Sequence, residues 1–385
     1  MQSGGPTAVL NRSLAGVVEE ALRHREIGEI YGAVHGLEGL AKGRFLDLRR
    51  RSKAAWRRVA QTPGAALGTA RRKLGPGEAP AVLDILREHG IAHIFSIGGN
   101  DSADTAHRLA AEARARGQAL TVVSVPKTVD NDLPETDHCP GYGSAARFIA
   151  LATMGSGMDA ESMGQASPIT ILEVMGRNAG WMVAASALGK REERDPPHIV
   201  CPPEAVFDED RFTARIEEAY ARWGYAVAVV SENLTHSGGR VGHEGEALYV
   251  DVFGHKYYQS PSQYLAARLS HRLGVRVRHE KPGTIQRSLV PCTSKVDATE
   301  AHMAGQAAVS AALAGGNDVM VTLVREAGLA YSCTTGLAPL EAVAGAERRL
   351  PADFFDEAAG LPTQAFVEYA RPLIGGPLPR FERLR

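Results

Sequence analysis

The sequence predicts a doubly wound α/β fold built on parallel sheets. Three observations carry the prediction. Apolar runs of strand length alternate with segments of helical period. Glycine-bearing turns link strand to helix at residues 98–102. Polar and charged residues gather just past the predicted strands, where open α/β sheets bind their ligands. A length of 385 residues fits two domains or one large α/β assembly.

The elements follow in order. The chain opens in a turn, Ser3-Gly4-Gly5-Pro6-Thr7, and residues 10–23 carry Leu14, Val17, Val18, Ala21 and Leu22 at helical spacing. An α/β domain normally places a strand before such a turn, so we expect this chain to lack its first strand. Residues 80–89 read as a helix. Residues 93–97 read as a strand, followed by Gly98-Gly99-Asn100-Asp101-Ser102 and a helix over 103–116 closed by Gly117. Residues 120–125 are a buried parallel strand. They run into Pro126-Lys127-Thr128-Val129-Asp130-Asn131-Asp132, which carries more charge than a connector needs. A helix is expected over 145–154 and a strand over 169–174 ending in Met175-Gly176-Arg177. A helix over 181–188, a strand over 225–230 ending in Ser231-Glu232-Asn233, and a helix over 262–273 follow. A helix over 304–313 and a strand over 319–324 complete the pattern. Residues 351–385 carry no chemical motif.

Composition excludes several classes. Hydrophobic content of 44% supports a real core. The net charge of −1 gives no global field that selects nucleic acid or an anionic membrane. The basic run at 49–58 reads as a solvated helix face. Cys139, Cys201, Cys292 and Cys333 show no C-x-x-C spacing, which argues for a reducing, cytoplasmic setting and against a disulfide framework. No apolar run reaches the ~18 residues of a membrane span, and no signal peptide is visible. The chain has no P-loop and no G-x-S-x-G elbow. Gly141-Tyr142-Gly143 mimics a dinucleotide fingerprint but follows no predicted strand.

The residues past the strands share one theme. Glycine turns at 4–5 and 98–99 accompany the cations Arg71, Lys127, Arg177, Arg278 and Arg287 and the carboxylates Asp101, Asp130, Asp132 and Glu232. Phosphoryl transfer needs this set. Cations and backbone donors spread the charge of the moving group, and a carboxylate accepts the proton of an attacking hydroxyl.

Four motifs in order resemble the phosphofructokinase family, most closely its pyrophosphate-dependent branch. They are Gly-Gly-Asn-Asp-Ser, Pro-Lys-Thr-Val-Asp-Asn-Asp, Glu-Val-Met-Gly-Arg-Asn-Ala-Gly and Gly-Thr-Ile-Gln-Arg-Ser, and the likeness runs from about residue 3 to about 325. The resemblance implies two Rossmann-like three-layer domains with mostly parallel sheets and the active site in the cleft between them. The expected division is 1–138 plus about 255–312 for the phosphoryl donor and 139–254 plus about 313–385 for the sugar phosphate. It implies reversible, Mg²⁺-dependent transfer from pyrophosphate to the 1-hydroxyl of fructose 6-phosphate. Asp130 is the implied base, with Lys127 and Asp101 beside it. Gly4, Arg71, Gly99 and Asn100 fall on the donor side, and Asn100 and Asp132 at the metal. Thr128, Val129, Met175, Gly176, Arg177, Glu232, Arg278, Thr284 and Arg287 fall on the substrate side. Arg278 matches a residue that relatives donate across a subunit interface, which implies a homodimer or homotetramer.

Two positions point to the donor. ATP-using relatives carry glycine where this chain has Asp101 and tend to carry it where this chain has Lys127. A carboxylate at 101 crowds and repels a nucleotide α-phosphate, at about 4 kcal/mol for unit charges 4 Å apart at an effective dielectric near 20. Lys127 can stabilise pyrophosphate directly. Three departures stand out: Asn100 replaces a frequent aspartate, Pro168 an interface arginine, and Thr284 a histidine. An ATP-dependent kinase and a non-catalytic sugar-phosphate-binding paralogue are the alternatives.

Overall fold

The computed structural model describes residues 1–70, 72–243, 247–250, 256–328 and 330–384. It forms two compact α/β units, each assembled from two stretches of chain: Met1–Ser144 with Arg287–Arg348, and Ala145–Gln286 with Arg349–Arg385.

The first unit is built on a four-stranded sheet. His93–Gly98, Thr121–Pro126 and Val319–Arg325 run parallel, and Cys333–Pro339 closes one edge antiparallel. Strand residues alternate between two faces, and each face has its own core. On one, Ile94, Val122 and Met320 meet Leu83 and Leu86 of helix Ala79–Glu88 and Ala106 and Leu109 of helix Asn100–Ala115. On the other, Ile97, Val123, Val125, Val321 and Leu323 meet Leu14 and Val18 of helix Leu10–Ala21 and Ala304 and Ala308 of helix Lys295–Leu313. These are three layers. At the outer edge, Gln2 forms an isolated parallel bridge with Ile97.

The second unit holds a fully parallel sheet in the order Val277–Glu280, Ile169–Val174, Ala226–Ser231, Ile199–Cys201. Helices Glu209–Trp223 and Pro261–Leu273 cover one face through Phe212, Ile216, Leu265 and Leu269. Ala160 packs against Tyr225 and Val227 on the other.

The predicted strands are present. Several helices differ from expectation for local reasons. The helix expected over 145–154 runs Tyr142–Met163, because the Asp297 carboxylate accepts hydrogen bonds from the Gly141 and Ser144 amides and holds its first turn. The helix expected over 304–313 starts at Lys295, where the Ser294 hydroxyl accepts from the Asp297 amide. Of the basic run at 49–58, Arg49–Arg51 precede the helix, and the rest lies on helix Lys53–Gln61, capped by Ser52, with Trp56 and Ala60 buried and Arg57 and Arg58 outward.

The division of the chain is also different. Residues 261–286 belong to the second unit, because Val277–Glu280 pairs with Ile169–Val174. Residues 319–339 belong to the first, because Val319–Arg325 pairs with Thr121–Pro126. Residue 255, at which a return to the first unit was expected, lies outside the described residues.

Candidate active site

Strand register assembles the cluster in the first unit. His93–Gly98 and Thr121–Pro126 pair in register to their last residues, Gly98 opposite Pro126. The turn at 99–101 and the loop at 127–132 therefore leave the sheet side by side. The Gln2–Ile97 bridge brings Ser3–Gly5 to the same edge. Three segments far apart in sequence converge because the ladder leaves them no other exit.

Lys127 is the central cation. The residue is only 4% exposed, and its amide donates to the Gly98 carbonyl at 3.1 Å. A Cβ on Gly4, at φ 76°, would lie 3.2 Å from its Nζ. A Cβ on Gly5 would collide with the Arg287 guanidinium. The glycines thus allow two cations to lie against the backbone of this turn. Burial lowers the Lys127 pKa to about 8, with Asp130 and Asp132 opposing the shift and Arg287 adding to it.

The loop after Lys127 is braced from several sides. The Asp130 amide donates to the Thr128 hydroxyl at 3.1 Å. Asn131 sits in the left-handed region at φ 55°, and its Oδ1 accepts from the Cys139 amide at 2.9 Å. Arg348 donates to the carbonyls of Asn131, Thr136 and Asp137 at 2.6–2.9 Å. The Val129 side chain is buried, so it offers a ligand only its backbone.

Asp132 and Asn100 form an oxygen cradle. Asn100 Nδ2 donates to Asp132 Oδ2 at 3.4 Å, which leaves Asn100 Oδ1 and Asp132 Oδ1. Both oxygens are buried, and neither has a hydrogen-bond partner among the described residues. Burial pushes the Asp132 carboxyl up; the Thr128 hydroxyl and Lys127 oppose it. Buried, unsatisfied oxygens of this kind suit a hard cation. The residues present therefore fit Mg²⁺.

Asp101 stands in the first turn of Asn100–Ala115, after Gly99 at the cap, where the helix dipole favours a carboxylate. It pairs with Lys73 at 2.8 Å, and both side chains are exposed. Hydrogen bonding to Asp101 raises the Lys73 pKa. Of the three cations at 71–73, Arg72 pairs with Glu78 and Arg71 lies outside the described residues.

The second unit carries the other set. Ile169–Val174 and Ala226–Ser231 also end in register, Val174 opposite Ser231. Met175–Arg177 and Glu232 emerge together. The Met175 amide donates to Gln286 Oε1 at 3.1 Å, the Ser231 hydroxyl to the Gly176 carbonyl at 3.1 Å, and Asn233 Nδ2 to the Arg177 carbonyl at 2.9 Å. Arg177, Glu232 and Thr284 are exposed. Arg278 is elsewhere: it lies opposite Thr170 and pairs with Asp159. Thr170 is four residues before Val174, so Arg278 lies ~13 Å short of that strand end at ~3.3 Å per residue. Arg287 belongs to the first unit, beside Gly5 and Lys127, although the resemblance assigns it to the sugar phosphate.

Sequence reasoning passed over Lys73, Gln286 and Arg348. Gln286 stood inside the quoted Gly-Thr-Ile-Gln-Arg-Ser motif, and Lys73 inside the cation cluster at 71–73. Arg348 stands in no motif.

Two doubly wound units, one presenting a buried lysine, a neighbouring arginine and half-buried carboxylates beside a glycine turn, define a phosphoryl-transfer class. A sequence model of the phosphofructokinase family matches residues 1–312, and the chain belongs to that family. It is 39% identical to the pyrophosphate–fructose 6-phosphate 1-phosphotransferase of Rhodospirillum rubrum, over 100% of this chain and 95% of that one. A solved pyrophosphate-dependent phosphofructokinase from Nitrosospira multiformis superposes with a TM-score of 0.90 at 35% identity, covering 100% and 93% of the two chains. Another, from Marinobacter aquaeolei, gives 0.89 at 36%, covering 99% and 92%.

Proposed function

We propose that this chain transfers a phosphoryl group reversibly between pyrophosphate and the 1-hydroxyl of fructose 6-phosphate, with Mg²⁺. The observation that carries the reading is Lys127, a buried cation whose Nζ lies against the Gly4–Gly5 turn beside Arg287. A nucleotide donor brings binding energy from its base and ribose. Pyrophosphate has neither, and a desolvated ammonium replaces them at the phosphates themselves. Asp101, tied to Lys73 at the start of its helix, occupies the position where ATP-using relatives have glycine.

In this reading Asp130 accepts the proton of the 1-hydroxyl as the new ester bond forms. An isolated aspartate has a pKa of about 3.9, so it acts in the transition state, not by prior deprotonation of the alcohol. The Thr128 hydroxyl, the left-handed turn at Asn131 and the Arg348 clamp hold that carboxylate in position. Gly4 and Gly99 give backbone room to the donor, with Arg71 as a further cation. Asn100 Oδ1 and Asp132 Oδ1 would hold Mg²⁺, which supplies charge neutralisation at the transferring oxygens. Met175, Gly176, Arg177, Glu232 and Thr284, with the backbone at Val129, would bind the sugar phosphate. Arg287, next to Lys127, suits a phosphate oxyanion. Arg278 lies ~13 Å from the Met175–Arg177 strand end, which supports its serving a neighbouring subunit in a homodimer or homotetramer. Among the described residues no helix is long and apolar enough to cross a membrane, and a cytoplasmic location fits the four unbridged cysteines.

An assay with each donor tests the proposal. Turnover with pyrophosphate and not with ATP is expected. Turnover with ATP alone would defeat the donor assignment. Binding of fructose 6-phosphate without turnover by either donor would establish the non-catalytic paralogue.

A further inference from the structure

A second cluster of ligating side chains lies in the first unit, apart from the donor loop. Among the described residues, His138, Glu300 and Cys333 bring one ligand atom each within 4.8 Å of one another. They come from three elements: the segment returning from the 127–132 loop, helix Lys295–Leu313 and strand Cys333–Pro339. His138 is 2% exposed and its Nε2 lies 2.6 Å from Glu300 Oε2. The Tyr331 hydroxyl donates to Glu300 Oε1 at 2.5 Å. The Cys333 thiol makes a long contact, 3.4 Å, to the Thr334 carbonyl and also hydrogen-bonds with Tyr331. The mechanism uses none of these groups.

We propose that His138 Nε2, Glu300 Oε2 and Cys333 Sγ bind a transition-metal dication of the zinc class. Three features of the cluster support this. The donor set of one imidazole, one carboxylate and one thiol is one that zinc accepts and that Mg²⁺ does not favour. Tetrahedral zinc places its ligand atoms about 3.5 Å apart, so the His138–Glu300 pair must open from 2.6 Å by about 1 Å while the widest separation, within 4.8 Å, closes by little more than about 1 Å. The outer partners are already in place. His138 Nδ1 meets Asp137 Oδ1 at 2.8 Å, and Asp137 is gripped by Arg325 at 3.0–3.2 Å. A carboxylate on the far nitrogen fixes the ring with Nε2 turned to the metal, the arrangement that metal-bound histidines use. Tyr331 holds the second oxygen of Glu300 in the same way. Binding displaces the proton shared by His138 and Glu300 and the thiol proton, both to solvent. The ion ties the return of the donor loop to a helix and an edge strand, so its role is structural.

The test uses the full chain, stripped with chelator and dialysed against zinc. One zinc per chain beyond that retained by Cys333→Ser is expected, with a higher Tm for the loaded protein. Substitution with Co²⁺ should give a thiolate-to-cobalt charge-transfer band, lost in Cys333→Ser and kept in the control Cys292→Ser. Asp137→Asn should weaken zinc binding roughly 10- to 100-fold while leaving the band in place at saturation. Cys333 is partly exposed, so its serine variant should fold, and that can be checked by circular dichroism. Equal zinc content in parent and Cys333→Ser, or no cobalt–thiolate band, overturns the proposal. Neither readout depends on catalysis, so the donor assay and this test fail separately.

Discussion

The loop after Thr121–Pro126 and the loops after Ile169–Val174 and Ala226–Ser231 treat charge differently. In the first unit, Lys127 and Asp132 are desolvated, and the loop between them is pinned by Thr128, Cys139 and Arg348. In the second, Arg177 and Glu232 stand exposed, and the backbone at Gly176 and Arg177 is stitched by Ser231 and Asn233. Burying Lys127 shifts its pKa from 10.5 to about 8, a cost of roughly 3 kcal/mol at ~1.4 kcal/mol per pKa unit. A charge placed at that cost is pre-set for a transition state. A charge left in water binds a substrate and gains much less from it. Under the proposed function, this comparison assigns transfer to the first unit and recognition to the second.

The largest effect should come from Asp130, the proposed base. Asp130→Asn keeps the shape of the loop and removes the proton acceptor, so kcat should fall by ~10²–10⁴-fold with the Michaelis constant for fructose 6-phosphate changed little. Steady-state kinetics on folded protein checks this, and activity left intact would remove Asp130 from the role. Arg348→Ala should follow. It removes charge-assisted hydrogen bonds to three carbonyls, each worth about 1.5–3 kcal/mol. A drop in Tm together with a lower kcat is expected, and a lower Tm with normal kcat would show that the clamp serves stability alone. The double change Asp101→Gly with Lys127→Gly should weaken pyrophosphate use by ~10²-fold, and turnover with ATP should be assayed alongside. Unchanged pyrophosphate kinetics would refute the donor argument. On the recognition side, Arg177→Ala should raise the Michaelis constant for fructose 6-phosphate by ~10-fold, the loss of one charge-assisted contact, and alter kcat less. An equal fall in kcat would blur the contrast between the units.

Much of this was legible in the sequence because parallel ladders are strict. Once residues 93–97 and 120–125 read as neighbouring strands, the 99–102 and 127–132 segments had to emerge together. Buried strands also read clearly because both faces are apolar. Other parts were written in contacts that no local pattern records. Arg348 reaches Asn131 across 217 residues, and nothing around it marks it. The helix Glu209–Trp223 was missed because charges dominate it and only a narrow stripe of Phe212, Thr213, Ile216 and Ala219 is buried. Its signals were the Asp208 cap and the left-handed Gly224 that ends it. The crossing points between units were misjudged because strand pairing, not sequence proximity, decides where residues 261–286 and 319–339 belong.

The smallest effect is one of pH, and it reads the buried lysine directly. Lys127 must be protonated to meet a phosphate oxyanion, and its folded pKa lies near 8, below the unfolded value of 10.5. As pH rises through about 8 the free enzyme loses this charge, and kcat/KM for pyrophosphate should fall by up to about tenfold per pH unit. Stability moves the other way. Between pH 8 and 10.5 the unfolded chain holds this proton and the folded chain does not, so the contribution of Lys127 to stability rises with pH across that window. Lys127→Met should therefore flatten the alkaline limb of the rate profile at a much lower plateau, without lowering the Tm of the free protein at neutral pH. A parallel alkaline limb in Lys127→Met would assign the titration to another group and leave the contrast between buried and exposed charge without its clearest example.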